Sequence, residues 1–226
     1  MILEKEELKQ IIDDAIKSAL DIGLKELKEI VQKQQKQIQD LSEKNAGLTK
    51  QLDDVSRRMD DTEQYMRRPN VQINNVPEHP DERMEEIICK MGDKVGVKIN
   101  FAVDIQAAHR IPSAKSPRPI IVKFSNRQMK KNFIIQTRKA KLKCDCLNLP
   151  TPSTNPIYVN DHLTKTRSNI MFEARNLVRK KMIKSAWTVE GNIWIKRDDM
   201  SAPVRISAMN DLKTFQTSYA SSTNRT

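Results

Sequence analysis

From Leu24 to Met66 apolar residues recur at alternating steps of three and four, and this repeat limits what the chain can fold into more than any other feature. With Leu24 at heptad position a, that position holds Leu24, Val31, Ile38, Asn45, Leu52, Met59 and Met66; position d holds Leu27, Gln34, Leu41, Leu48, Val55 and Thr62. All but Asn45, Gln34 and Thr62 are Leu, Ile, Val or Met. Such a stripe is too narrow for a globular core helix, so it asks for the same stripe on another copy. The expectation is a self-associating coiled coil over 24–68, ~65 Å long at the standard helical rise.

Two signals conflict on the number of strands. Asn45 at an a position favours parallel dimers. Arg58, Met59, Thr62 and Glu63 resemble a trimer-favouring pattern of Arg, apolar, apolar and Glu, although Thr62 is a poor second apolar and Arg58 with Glu63 also reads as an ordinary solvated pair. Homodimer and homotrimer both stay open. Before the repeat, residues 1–23 read as a separate helix on Leu8, Ile12, Ala15, Ala19 and Ile22, with Gly23 marking a stutter or hinge. After it, Pro69 is expected to end the helix.

Charge divides the chain of 226 residues at the same place. Up to Met66 there are 11 Lys/Arg and 15 Asp/Glu; beyond it 29 basic residues face 14 acidic ones. A net +15 on the C-terminal part points to a polyanion, most simply nucleic acid. Met1 to Leu20 alternates charge with aliphatics, so neither export nor membrane insertion is expected, and the cytoplasm or nucleus is the expected compartment. Cys89, Cys144, Cys146 and three scattered histidines fall short of zinc-ligand spacing, so no metal and no cofactor are expected.

From Asn70 the period changes. Strands are expected over 70–76, 103–110, 118–124 and 157–160, and helices over 81–95 and from Ser125 to about Lys143, the latter opened by a Ser125/Gln128 capping box. The order βαββαβ is the split βαβ, ferredoxin-like arrangement of RNA-recognition domains. The fold class is therefore α+β: a long coiled coil, a non-standard RNA-recognition domain at 69–145 with its last strand at 157–160, a linker at 146–156, and a small basic α+β domain at 157–216, followed by a polar tail at 217–226. The stacking aromatics of such domains are missing, since Gln72 takes the first-strand position and the third strand keeps only Phe124. Phosphate contacts should then carry more of the affinity.

Those contacts are offered by Arg127, Lys130, Lys131, Arg138, Lys139, Lys141 and Lys143, seven bases in 17 residues without an acid. In the last domain Thr164 is expected to cap a helix to about Met182 that presents Arg167, Arg175, Arg179, Lys180 and Lys181. A hairpin over 184–196 follows. With Gly191-Asn192 as its two-residue turn, Trp194 faces Val189 and Lys196 faces Trp187, so both indoles share one face. That face either packs on the preceding helix or, bordered by Lys184, Lys196 and Arg197, stacks single-stranded bases; a longer turn would instead put one indole in and one out.

Arg118-Pro-Ile-Ile-Val-Lys-Phe124, Ala108-His-Arg-Ile-Pro112, Ile157-Tyr-Val-Asn-Asp-His-Leu-Thr164 and Ala186-Trp-Thr-x-x-Gly-x-Ile-Trp194 resemble the domain shared by first-reading-frame proteins of insect non-LTR (LINE-type) retrotransposons and the baculovirus few-polyhedra protein. The resemblance spans about Asn70 to Phe215. It implies an oligomer that binds single-stranded RNA and DNA with chaperone behaviour, with Arg110, Arg118 and Lys123 on one domain's binding side and Arg167, Arg175, Arg179 and Arg197 on the other's. The viral relatives suggest an alternative role in structure or trafficking through acidic protein partners. No phosphate-cradling glycine loop or nucleophile with a base stands out, so neither catalysis nor a small-molecule substrate is expected.

Overall fold

The computed structural model describes residues 5–114, 116–147 and 153–215. It is a mixed α+β protein with a long N-terminal helix and two antiparallel sheets. Helix α1 is a single element, Lys5–Arg67, unbroken at Gly23. One glycine costs a helix only about 1 kcal/mol relative to alanine, and here good helix formers flank it. Beyond Arg68, Pro69 lacks the N–H a further turn needs.

The chain divides after Arg58. In the first unit the apolar stripe has nothing over it, and Leu24 to Val55 at the a and d positions are 48–67% exposed. The second unit starts at Met59, so it takes in the last turns of α1.

Within that second unit β1 (Asn70–Asn74), α2 (Met84–Lys94), a helical turn α3 (Phe101–Asp104), β2 (Ile105–Arg110), β3 (Ile120–Phe124), α4 (Arg127–Ala140) and β4 (Tyr158–Asp161) build a sheet of order β2-β3-β1-β4. Every neighbouring pair is antiparallel. Alternation along β1 sends Val71 and Ile73 into the core, where Ile88 and Met91 of α2 and Phe133 and Ile134 of α4 close over them. Gln72, on the opposite face, pairs with Ile121 and Asn160, so no aromatic residue occupies its stacking position.

Local chemistry moves several expected boundaries. The cap of α4 is Asn126, whose side chain accepts from the N–H groups of Gln128 (2.7 Å) and Met129 (3.4 Å). Ser125 does not form the expected capping box, because its hydroxyl donates to Val103 O. Helix α4 stops at Ala140, short of the expected Lys143, and Thr137 is its last buried residue. The linker expected to begin at 146 begins later, since Cys144–Leu147 forms a turn that buries Cys144 and Leu147 in the core. Part of that linker and the tail lie outside the described residues.

A second core lies under a three-stranded sheet of β5 (Ser185–Val189), β6 (Asn192–Lys196) and β7 (Val204–Ile206). Helix α5 (Lys165–Arg179) covers it with Ile170, Met171, Ala174 and Leu177, and Thr164 caps that helix as expected, accepting from Arg167 N. The hairpin register differs from the expected one. Trp187 lies opposite Trp194 and Lys196 opposite Ser185, because the turn is Glu190-Gly191, both at positive φ. Both indoles do share a face, the one opposite the buried Ile193 and Ile195.

Candidate functional site

Three cations expected to meet phosphate are consumed inside the fold. Arg110 has a 4% exposed side chain and grips Glu82 with two bonds (2.6 and 2.7 Å), so it is a strut between β2 and the segment before α2. Lys130 points inward from α4 and forms a buried ion pair with Asp161 of β4. Arg167 binds Asp60 at 2.9 Å and also pairs with Asp61. The structure does not present these three as open phosphate ligands, since each is turned to a carboxylate and nearly closed to solvent.

Arg167 belongs to a larger clamp between the end of α1 and the β4–α5 connection. Asp60 accepts from the Thr164 hydroxyl (2.6 Å), and the buried Gln64 donates to His162 O and accepts from Thr164 N, both at 3.0 Å. Gly191 packs on that glutamine so closely that a Cβ would collide with its amide. Arg67 donates to Leu163 O and lies 2.9 Å from His162 Nε2. Burial first, then the Arg67 charge, lowers the His162 pKa from 6.5 to about 4, so the ring is neutral at physiological pH.

Next to this clamp the two halves of the unit form a cleft. A cavity of about 180 Å³ is walled by Arg68 at the end of α1, by Arg127, Lys131, Ile134, Ile135 and Arg138 of α4, and by Trp187, Thr188, Val189 and Glu190 of the hairpin, over Lys130 and Asp161. Arg68, Arg127, Lys131 and Arg138 form no ion pair among the described residues. Tyr65 sets two of them in place: the guanidinium of Arg68 lies 5.0 Å from its ring centroid and that of Arg127 5.5 Å. Arg138 donates to Asn160 at 3.2 Å.

The other expected residues are spread around the unit. Arg118 pairs with Glu78 at 2.8 Å and remains half exposed, and its bonds hold the Glu78 carboxyl below the usual carboxylate range. Lys123 is exposed on β3, Lys139 on α4, and Lys180 just after α5. Arg175 and Arg179 are exposed on α5, with Arg179 lying 5.9 Å from the Phe172 ring. Lys184 pairs with Asp199, and Arg197 lies 4.6 Å from Phe215. Lys196 and Trp194 share the outer hairpin face, where Trp194 pairs with Arg205. Of the expected binding residues, Arg127, Lys130, Lys131, Arg138 and Trp187 meet at the cleft.

Sequence reasoning missed Tyr65 and Arg68. Their signal was weak but present: an aromatic and two arginines directly before the helix-ending proline, on a helix otherwise net acidic. Among the described residues there is no cluster of three or more metal-ligating side chains, and no helix is long and apolar enough to cross a membrane. No family model matches the chain, and no curated protein matches it.

Proposed function

We propose that this chain is an oligomeric, non-sequence-specific binder of single-stranded RNA and DNA with chaperone-like activity, of the kind its resemblance to LINE-type first-reading-frame proteins implies. The observation that carries the reading is the cleft, where four cations without carboxylate partners surround an apolar wall containing Trp187. Cations fit phosphate and an indole fits a base of any identity, which is the chemistry of sequence-tolerant strand binding. The β2-β3-β1-β4 antiparallel order supports reading the first half as a ferredoxin-like, non-standard RNA-recognition domain. The uncovered stripe on α1 supports a coiled coil that multiplies weak sites into avid binding.

The test is fluorescence anisotropy of a random single strand with the full chain over a range of salt. With four phosphates neutralised per site, log affinity falls with log salt at a slope of about −3, at ~0.7 per phosphate. Replacing Arg127 and Lys131 by Ala weakens binding to all sequences alike and makes the slope shallower by about 1.4. Replacing Leu41 and Leu48 by Gln yields a monomer with intact domains and lost avidity. Absence of binding at low salt would reject this function and favour acidic protein partners.

A further inference from the structure

Arg138 has a second side that the cleft does not use. Beyond it, between the C-terminal half of α4 and strand β4, lies another cavity of about 410 Å³, lined by Thr137, Arg138, Lys141, Tyr158 and Asn160 over the apolar Leu142, Ile157 and Val159. Its lining contains two cations and no acid. Tyr158 is 53% exposed. Strand β4 is at the sheet edge, so the ring stands at a border of the unit and not inside it. This groove has, like the cleft, an aromatic ring beside cations that form no ion pair among the described residues, and the two cavities share Arg138 as a wall.

We infer that this groove is the second nucleotide subsite of one continuous strand track. This rests on the nucleic-acid reading of the cleft and extends it. A base lies against Trp187, the backbone passes Arg138 with a phosphate on its guanidinium, and a following base stacks on Tyr158 with Lys141 on the next phosphate. The track therefore runs along α4 to the edge strand β4, whose Tyr158 and Asn160 lie at the border of the sheet face that also carries Gln72. Charge complementarity favours a polyanionic strand in this groove over a peptide added to the β4 edge, because such a peptide is held mainly by main-chain bonds and has little need of the cations or the ring.

The experiment uses the full-length chain and oligothymidine. Tyr158→Ala is expected to lower affinity about tenfold, the effect of losing one stacked base, while Tyr158→Phe keeps it. Lys141→Ala is expected to lower affinity and to make the salt slope shallower by about 0.7. Photo-cross-linking with bromouridine-substituted strands is expected to label peptides containing Tyr158 as well as those containing Trp187. The track is overturned if Tyr158→Ala and Lys141→Ala bind like the parent and no Tyr158 adduct forms while Trp187→Ala and Arg127→Ala weaken binding, since the strand is then confined to the cleft. If none of the four substitutions matters, the nucleic-acid reading of the cleft itself fails.

Discussion

Helices α4 and α5 look interchangeable in sequence and do opposite things in the fold. Each is amphipathic, each buries four residues against its own sheet, and each displays arginine and lysine on the other side. On α4, Lys130 alone turns inward, while Arg127, Lys131 and Arg138 face a cleft completed by Trp187. On α5, Arg167 locks the helix to Asp60 and Asp61, and Arg175 and Arg179 lie apart from both cavities described. Basic charge on a helix thus does not say whether it is a strut, a ligand or solvated surface. What opposes it decides.

The largest expected effect separates strut from ligand. Arg167→Ala leaves Asp60 nearly buried without its cation and should destabilise the folded unit by about 3 kcal/mol, measured by urea denaturation. Arg127→Ala, equally the loss of one arginine, should leave stability within about 0.5 kcal/mol and reduce binding instead. Equal stability losses would break the comparison.

A smaller effect tests the ring beneath two of the cleft cations. Tyr65→Ala should weaken strand binding several-fold by freeing Arg68 and Arg127, at about 0.5–1 kcal/mol per cation–π contact, while Tyr65→Phe holds parent affinity. A loss in both variants would assign the effect to the hydroxyl and not to the ring.

Acid offers a milder perturbation of the clamp. His162 titrates near 4 in the folded chain and near 6.5 unfolded, so the unfolded state takes up the proton first. Stability should be full above pH 6.5 and fall as pH drops towards 4. Between pH 6.5 and 5 the Glu78 and Asp198 carboxylates, both held low by their partners, stay ionised, so His162→Asn should flatten thermal stability in that window. An unchanged pH dependence would remove His162 from the account.

The smallest effect is expected from Arg175 and Arg179 together. Their replacement by Ala should change affinity less than twofold, since exposed charges away from the bound strand act only through a screened field. A loss equal to that of Arg127 with Lys131 would move the site to α5.

The order of elements was legible because it rests on period alone: the step from three-four spacing to alternation after Pro69, the apolar positions of α4, and Thr164 ahead of α5. The ferredoxin-like and coiled-coil readings go further than periodicity and stay with the proposed function. The roles of Arg110, Lys130 and Arg167 were not legible, since their carboxylates lie 28, 31 and 107 residues away in sequence. Nor was the hairpin register. Gly191-Asn192 looks like a turn centre, yet glutamate tolerates the left-handed conformation here and moves the turn back by one residue. The cleft joins segments from four parts of the chain, so only part of its lining could be anticipated.

The pairing of Lys130 with Asp161 has a consequence for how a guest would orient. Both side chains are about 95% buried and cancel each other within the cleft, while Arg68, Arg127, Lys131 and Arg138 outnumber the one exposed acid of its lining, Glu190. A nucleotide has one anionic half and one flat, uncharged half. On the proposed function, a nucleotide would enter base first and leave its phosphodiester outside, accessible to a second strand or a second copy of the protein.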